Sequence, residues 1–193
     1  MTWCLVGSEM CIRDRYMDPE ARDRGIRVRT SSYTRHHVNI TMCKAKANGN
    51  YINSILALRE ALDAGCEEAL LLDNEGYVAE GSGENVFIVR DGTIYTPELT
   101  SCLEGITRDS IFRIAADLGY QIRERRITRD EVYVADEAFF TGTAAEVVPI
   151  RELDGRAIGS GSRGPLTEQL QSIYFDTVRG RESQYGAWLT PVS

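Results

Sequence analysis

Four short runs in this chain carry side chains that could act together on one small molecule. Lys46 opens Lys46-Ala-Asn-Gly-Asn-Tyr51, and Glu80-Gly-Ser-Gly-Glu-Asn85 follows. Then come Gly105-Ile-Thr-Arg108 and Thr141-Gly-Thr-Ala-Ala-Glu146. A lysine amine condenses with an aldehyde only when unprotonated. With an ordinary pKa of about 10.4, it needs desolvation or a neighbouring positive charge to reach that state near neutrality. The Tyr51 phenol can donate a hydrogen bond to an oxygen on an aromatic ring. Glu80 sits among small residues, so its carboxylate can approach a flat ring, keep a ring nitrogen protonated and make the ring an electron sink.

The spacing leaves choices open. Lys44 and Lys46 are two residues apart, so on a strand both would face the same way. Glu84 competes with Glu80. Each residue also has an ordinary role available: a solvated lysine, a half-buried tyrosine at a helix start, a strand glutamate. Gly105–Arg108 directly precedes an apolar helical stripe. Free N–H groups at that helix start would stabilise a phosphate, with the Thr107 hydroxyl added. Thr107 would also serve as a plain N-cap. Thr141–Glu146 follows the apolar run Ala138-Phe-Phe140, and a strand opening into Gly-Thr-Ala exposes consecutive N–H groups to phosphate or to a substrate carboxylate. An amine, a phenol, a carboxylate and two such turns are the parts needed to hold pyridoxal phosphate. His36 and His37 would point to opposite faces of a strand, which argues against a shared metal site.

The elements that must position these parts are legible in outline. Arg27–Tyr33 and Val38–Met42 alternate and favour β-structure. Ile55, Leu58 and Leu62 fall on one face of a helix after Tyr51, with Gly65 as its C-terminal cap. Ala69–Asp73 is a short apolar strand ended by Asn74-Glu-Gly76. Asp91-Gly92 joins strands at Asn85–Arg90 and Thr93–Thr96, and Asp154-Gly155 joins Val147–Leu153 to Arg156–Ile158, both as tight hairpins. Ile111, Ile114, Ala115 and Leu118 form a helical stripe stopped by Gly119. Thr128-Arg-Asp-Glu131 has the form of a capping box. Pro165 suits the first turn of a last helix bearing Leu166, Leu170, Ile173 and Phe175. Strands outnumber helices and hairpins replace strict β-α alternation, so the class is α+β, with a curled or barrel-like sheet.

The chain has 193 residues, 42% hydrophobic and 26% charged, the size and composition of one globular domain. Its net charge of −7 argues against a general nucleic-acid surface. Five cysteines, an odd number without a Cys-x-x-Cys pair, point away from disulfides and zinc and towards a reducing, cytoplasmic setting. No apolar run is long enough to span a membrane. Residues 1–15 lack the pattern of a signal peptide and are set apart as a foreign or disordered leader.

The four motifs in this order, from about Met17 to the C-terminus, resemble the branched-chain aminotransferases. These are class IV, fold-type IV pyridoxal-phosphate enzymes, related to D-amino-acid aminotransferase and aminodeoxychorismate lyase. The resemblance implies that residues 16–193 form the large C-terminal cofactor-binding domain, with a mixed, hairpin-rich sheet and flanking helices. It singles out Lys46, ahead of Gly49-Asn-Tyr51, as the Schiff-base lysine and general acid–base. Tyr51 becomes the partner of the cofactor oxygen and Glu80 the partner of the pyridine nitrogen. Ile106 and Thr107 become the phosphate-binding helix start, and Thr143 and Ala144 the turn that meets phosphate and substrate carboxylate. The implied reaction is ping-pong transamination of leucine, isoleucine and valine with 2-oxoglutarate, in a homodimer or larger homo-oligomer when full length. Family members carry an N-terminal domain before the region matching Met17. The expectation is therefore a fragment with weak or no turnover alone. The neighbouring readings are a D-amino-acid aminotransferase, a lyase of the same fold, or a non-catalytic cofactor-binding fragment.

Overall fold

The computed structural model describes residues 19–190. The leader assigned to 1–15, which holds Cys4 and Cys11, lies outside them, and so does Met17. Helix α1 spans Pro19–Arg24, α2 Tyr51–Asp63, α3 Ile106–Asp117, α4 Arg129–Tyr133 and α5 Pro165–Val178. The strands are β1 (Ile26–Thr30), β2 (Glu68–Leu72), β3 (Val78–Gly81), β4 (Asn85–Arg90) and β5 (Thr93–Thr96). After them come β6 (Ile122–Glu124), β7 (Glu137–Gly142), β8 (Glu146–Leu153) and β9 (Arg156–Ala157). The nine form one sheet in the order β3-β2-β1-β8-β7-β4-β5-β6, with β9 on β8. Most neighbours are antiparallel, while β1 runs parallel to β2 and β8, and β5 to β6. The class is α+β, as the sequence implies.

Both hairpins form where Asp-Gly stands. Asp91 and Gly92 take φ of 49° and 72°, and Asp154 and Gly155 take 51° and 78°. Positive φ at both central residues gives a turn whose twist matches its strands. The capping box also forms, with the Thr128 amide donating to Glu131 Oε2 at 2.9 Å.

The central strands are buried on both faces, which explains their unbroken apolar runs. On β4 and β7, Val86, Ile88, Ala138 and Phe140 enter one cluster, while Phe87, Val89 and Phe139 enter another with α3 and α5. The first cluster also takes Leu70 of β2 and Val78 of β3, strands far from β4 in the sheet order. A flat sheet could not bring them together, so the sheet curls. Gly81 at the end of β3 donates its amide to the Glu84 carbonyl, just before β4, at 2.7 Å. The curl is barrel-like, but the hydrogen-bonded path stays open between β3 and β6.

Three local expectations fail. Val38–Met42 is turn and coil rather than strand. The last backbone bond to the sheet is from Arg35 N to the Leu72 carbonyl, and beyond it the chain closes turns at His37–Ile40 and Met42–Ala45. Alternation there meets no free sheet edge, and Ile40 and Met42 are exposed. Accordingly, His36 and His37 do not lie on a strand, and among the described residues no group of side chains is arranged to hold a metal. On α2 the buried face is Ser54, Ala57 and Ala61, whereas Ile55 and Leu62 are exposed. Small residues face β2 because the helix lies close to Ala69 and Leu71. Finally, the N-cap of α3 is Gly105, and Thr107 lies inside the helix.

Candidate active site

The loops at one end of the curled sheet converge on a cavity of about 290 Å³. Lys46, Tyr51, Glu80, Ile106, Thr107 and Thr143 all line it. Ala144 follows Thr143 in the β7–β8 turn, exposed and outside that lining.

The two lysines are in different states. Lys44 Nζ is tied to backbone, donating to the carbonyls of Leu99 and Cys102. Lys46 Nζ instead donates to the Tyr51 hydroxyl at 2.7 Å and stands 5.3 Å from that ring's centre. The short 3-10 turn Asn48–Asn50 produces this meeting by folding the chain back into the first turn of α2. Glycine and two asparagines suit such a turn.

The two glutamates differ as sharply. Glu80, on β3, is buried, with Oε1 2.6 Å from Arg35 Nε and Oε2 accepting the Leu103 amide at 3.0 Å. Burial pushes its pKa up, while Arg35, the Leu103 amide, Lys44 and Lys46 all pull it down. Glu84 also lines the cavity, but its Oε2 accepts the Gly83 amide at 3.0 Å and its carboxyl bonds with Glu68, another buried acid. Glu80 is held against a cation, Arg35.

The N-terminus of α3 opens onto the cavity with no side-chain cap at Gly105. A Cβ there would lie 2.2 Å from Asn85 Oδ1, so a side chain at this position would displace the Asn85 amide. The first-turn N–H groups are therefore free for an anion, which is the donor set a phosphate requires. Thr143 adds a hydroxyl from the facing turn. Arg35 and Asn50 were not singled out from the sequence. An isolated arginine and one asparagine in a turn carry no periodic signal.

Residues 7–153 match the family described as amino-transferase class IV. A branched-chain-amino-acid aminotransferase of Pseudomonas aeruginosa is 65% identical over 177 residues, 92% of this chain and 58% of its own length. Its counterpart in Escherichia coli K12 is 42% identical over 179 residues, with 92% and 58% covered. Among solved structures, the T.th. branched-chain amino acid aminotransferase complexed with N-(5'-phosphopyridoxyl)-L-glutamate superposes with a TM-score of 0.88 at 55% identity. That likeness covers 90% of this chain and 58% of that one. The chain thus spans somewhat over half the length of the relatives it matches. With most of its length inside the family match, it belongs to the amino-transferase class IV family.

Proposed function

We propose that this chain carries the cofactor site of a pyridoxal-phosphate-dependent branched-chain amino acid aminotransferase. The observation that carries the reading is the Lys46–Tyr51 contact at 2.7 Å in the same cavity as Glu80 and the open start of α3. When bound, pyridoxal phosphate supplies an aldehyde that links to amines and a ring that takes up the electron pair left by proton loss. Lys46 would hold the cofactor through its amine and, when free, would move a proton at the substrate Cα. The Tyr51 hydroxyl orients Lys46 and would hold the ring oxygen. Glu80 would hold the ring nitrogen and favour its protonated form. The N–H groups of Ile106 and Thr107, with Thr143, hold the phosphate, and Thr143 and Ala144 receive the substrate carboxylate.

The substrates we propose are leucine, isoleucine and valine with 2-oxoglutarate, in ping-pong order. Support comes from the names of the relatives and from neighbours solved with 4-methylvaleric acid and with norvaline. An enzyme of the relatives' length would be a cytoplasmic homo-oligomer. Exposed Ile40, Met42, Ile52 and Ile106 give it apolar surface to cover, and among the described residues no helix is long and apolar enough to cross a membrane.

Titrating the chain with pyridoxal phosphate tests the site. We expect a visible absorbance band that Lys46→Ala abolishes and Lys44→Ala keeps. A band that survives Lys46→Ala would remove Lys46 from its role. Assay of an enzyme extended to the length of its relatives, against L-leucine, D-alanine and aminodeoxychorismate, tests the substrate. Preference for either of the last two would overturn the branched-chain assignment.

A further inference from the structure

Arg35 is a buried cation with two partners that join opposite sides of the cavity. It is 6% exposed, and its Nε lies 2.6 Å from Glu80 Oε1. Its Nη1 donates to the Asn50 carbonyl at 3.4 Å. Asn50 is buried too, and its Nδ2 donates to the carbonyls of Met42 at 2.9 Å and Ala45 at 2.8 Å. A continuous polar path therefore runs from the Glu80 carboxylate through Arg35 and Asn50 into the segment that presents Lys46.

We propose that Arg35 and Asn50 are positioning residues that lock Glu80 and the Lys46 turn into one fixed register. The proposal rests on the cofactor reading above, in which Glu80 and Lys46 address opposite ends of one ring. Neither β3 nor the Lys46 turn could set that distance alone. β3 belongs to the sheet, whereas residues 31–47 contain no regular element. The Arg35 guanidinium is a planar fork that sets Nε in ion-pair contact with the Glu80 carboxylate while Nη1 donates to the Asn50 carbonyl. Lysine at this position would supply charge without that fork. The other groups acting on Glu80 are the Lys44 and Lys46 side chains, which pull its pKa down, and the Cys102 thiol, which burial pushes up to about 12 and so keeps neutral. Lys44 is already held by backbone carbonyls, and Lys46 leaves when it reacts. Arg35 is thus the permanent counter-charge.

Two measurements separate positioning from simple loss of structure. In the chain without cofactor, difference infrared against Glu80→Gln reads the pH midpoint at which Glu80 takes its proton. We expect Arg35→Gln to raise that midpoint by at least about one pH unit, because an adjacent opposite charge shifts a carboxyl by about 1–3. Arg35→Lys should largely restore it, yet bind pyridoxal phosphate at least about threefold more weakly for want of the fork. Asn50→Ala should leave the Glu80 midpoint in place but lower the fraction of bound cofactor fixed to Lys46 by borohydride. An unmoved midpoint in Arg35→Gln overturns the proposal. If that variant does not fold, unchanged cofactor affinity in Arg35→Lys overturns it instead. Failure of the unaltered chain to bind cofactor would sink the functional reading, while the infrared measurement would still decide what Arg35 does to Glu80.

Discussion

A lysine becomes available for chemistry partly through what does not bind it. Lys44 and Lys46 have the same charge and lie two residues apart, but two backbone carbonyls occupy one ammonium and a phenol meets the other. The same sorting applies to the acids, where Glu80 faces Arg35 and Glu84 faces Glu68. Glu68 is wholly buried, and burial raises its pKa against the pull of the Ala69 and Ser82 amides. Folding therefore favours its protonated form. The stability this contributes is fully present below the unfolded-state value, about 4.3, and is lost as pH rises through the higher folded value. Glu68→Gln keeps the shape and removes the titration. In urea denaturation, we expect the unaltered chain to lose stability relative to this variant as pH rises from about 4.5 towards neutrality. Parallel curves over that range would show that Glu68 does not titrate between the two states. At this scale the sequence displayed the reactive groups but not their partners. Arg35 pairs with Glu80 across 45 positions, and neither neighbourhood announces the other.

Elements were legible where local chemistry allows one solution. Asp-Gly at both hairpins requires positive φ, and Thr128–Glu131 satisfies its own helix start, so these could be placed without knowing their neighbours. Val38–Met42 and the face of α2 depend on what lies opposite, which periodicity does not report. The apolar stripe on α2 points outwards, and its buried face is the small one because the helix packs closely on β2. That inversion is testable. Ala57→Leu adds volume where there is no room and should cost about 1–3 kcal/mol. Ile55→Gln, on the exposed side of the same helix, should stay within about 0.5 kcal/mol in this chain. Chemical denaturation of both variants decides. Equal losses would mean that α2 does not rest on its alanine face.

The molecule as a whole holds together by tying sequence-distant elements to two faces of one curled sheet. The site shares in this, because it is assembled from residues 35–54, 80–85, 103–107 and 141–143, which only the fold brings to one cavity. Motif order could suggest that set, but strand order could not be read from it. The helical layer behind β7 depends on one buried carboxylate. Gly164, the N-cap of α5, has no side chain to satisfy the helix start. Glu137 of β7 does so instead, accepting the amides of Leu166 at 3.0 Å and Thr167 at 2.7 Å and the Thr167 hydroxyl at 2.6 Å. A Cβ on Gly164 would fall 2.1 Å from the Glu137 carboxyl carbon, so the glycine and the glutamate form a matched pair. Hydrogen bonds to charged groups contribute about 1.5–3 kcal/mol each, and here one acceptor serves three donors. Glu137→Ala should therefore cost at least about 3 kcal/mol, while Glu137→Gln, with one oxygen still able to accept, should lose less. Gly164→Ala should be nearly as harmful as Glu137→Ala, although it removes no hydrogen-bonding group. In the double variant Glu137→Ala, Gly164→Ala, the two losses should fall well short of adding, because the clash and the clamp share one partner. Full additivity in urea denaturation would show that α5 is docked by its apolar face alone.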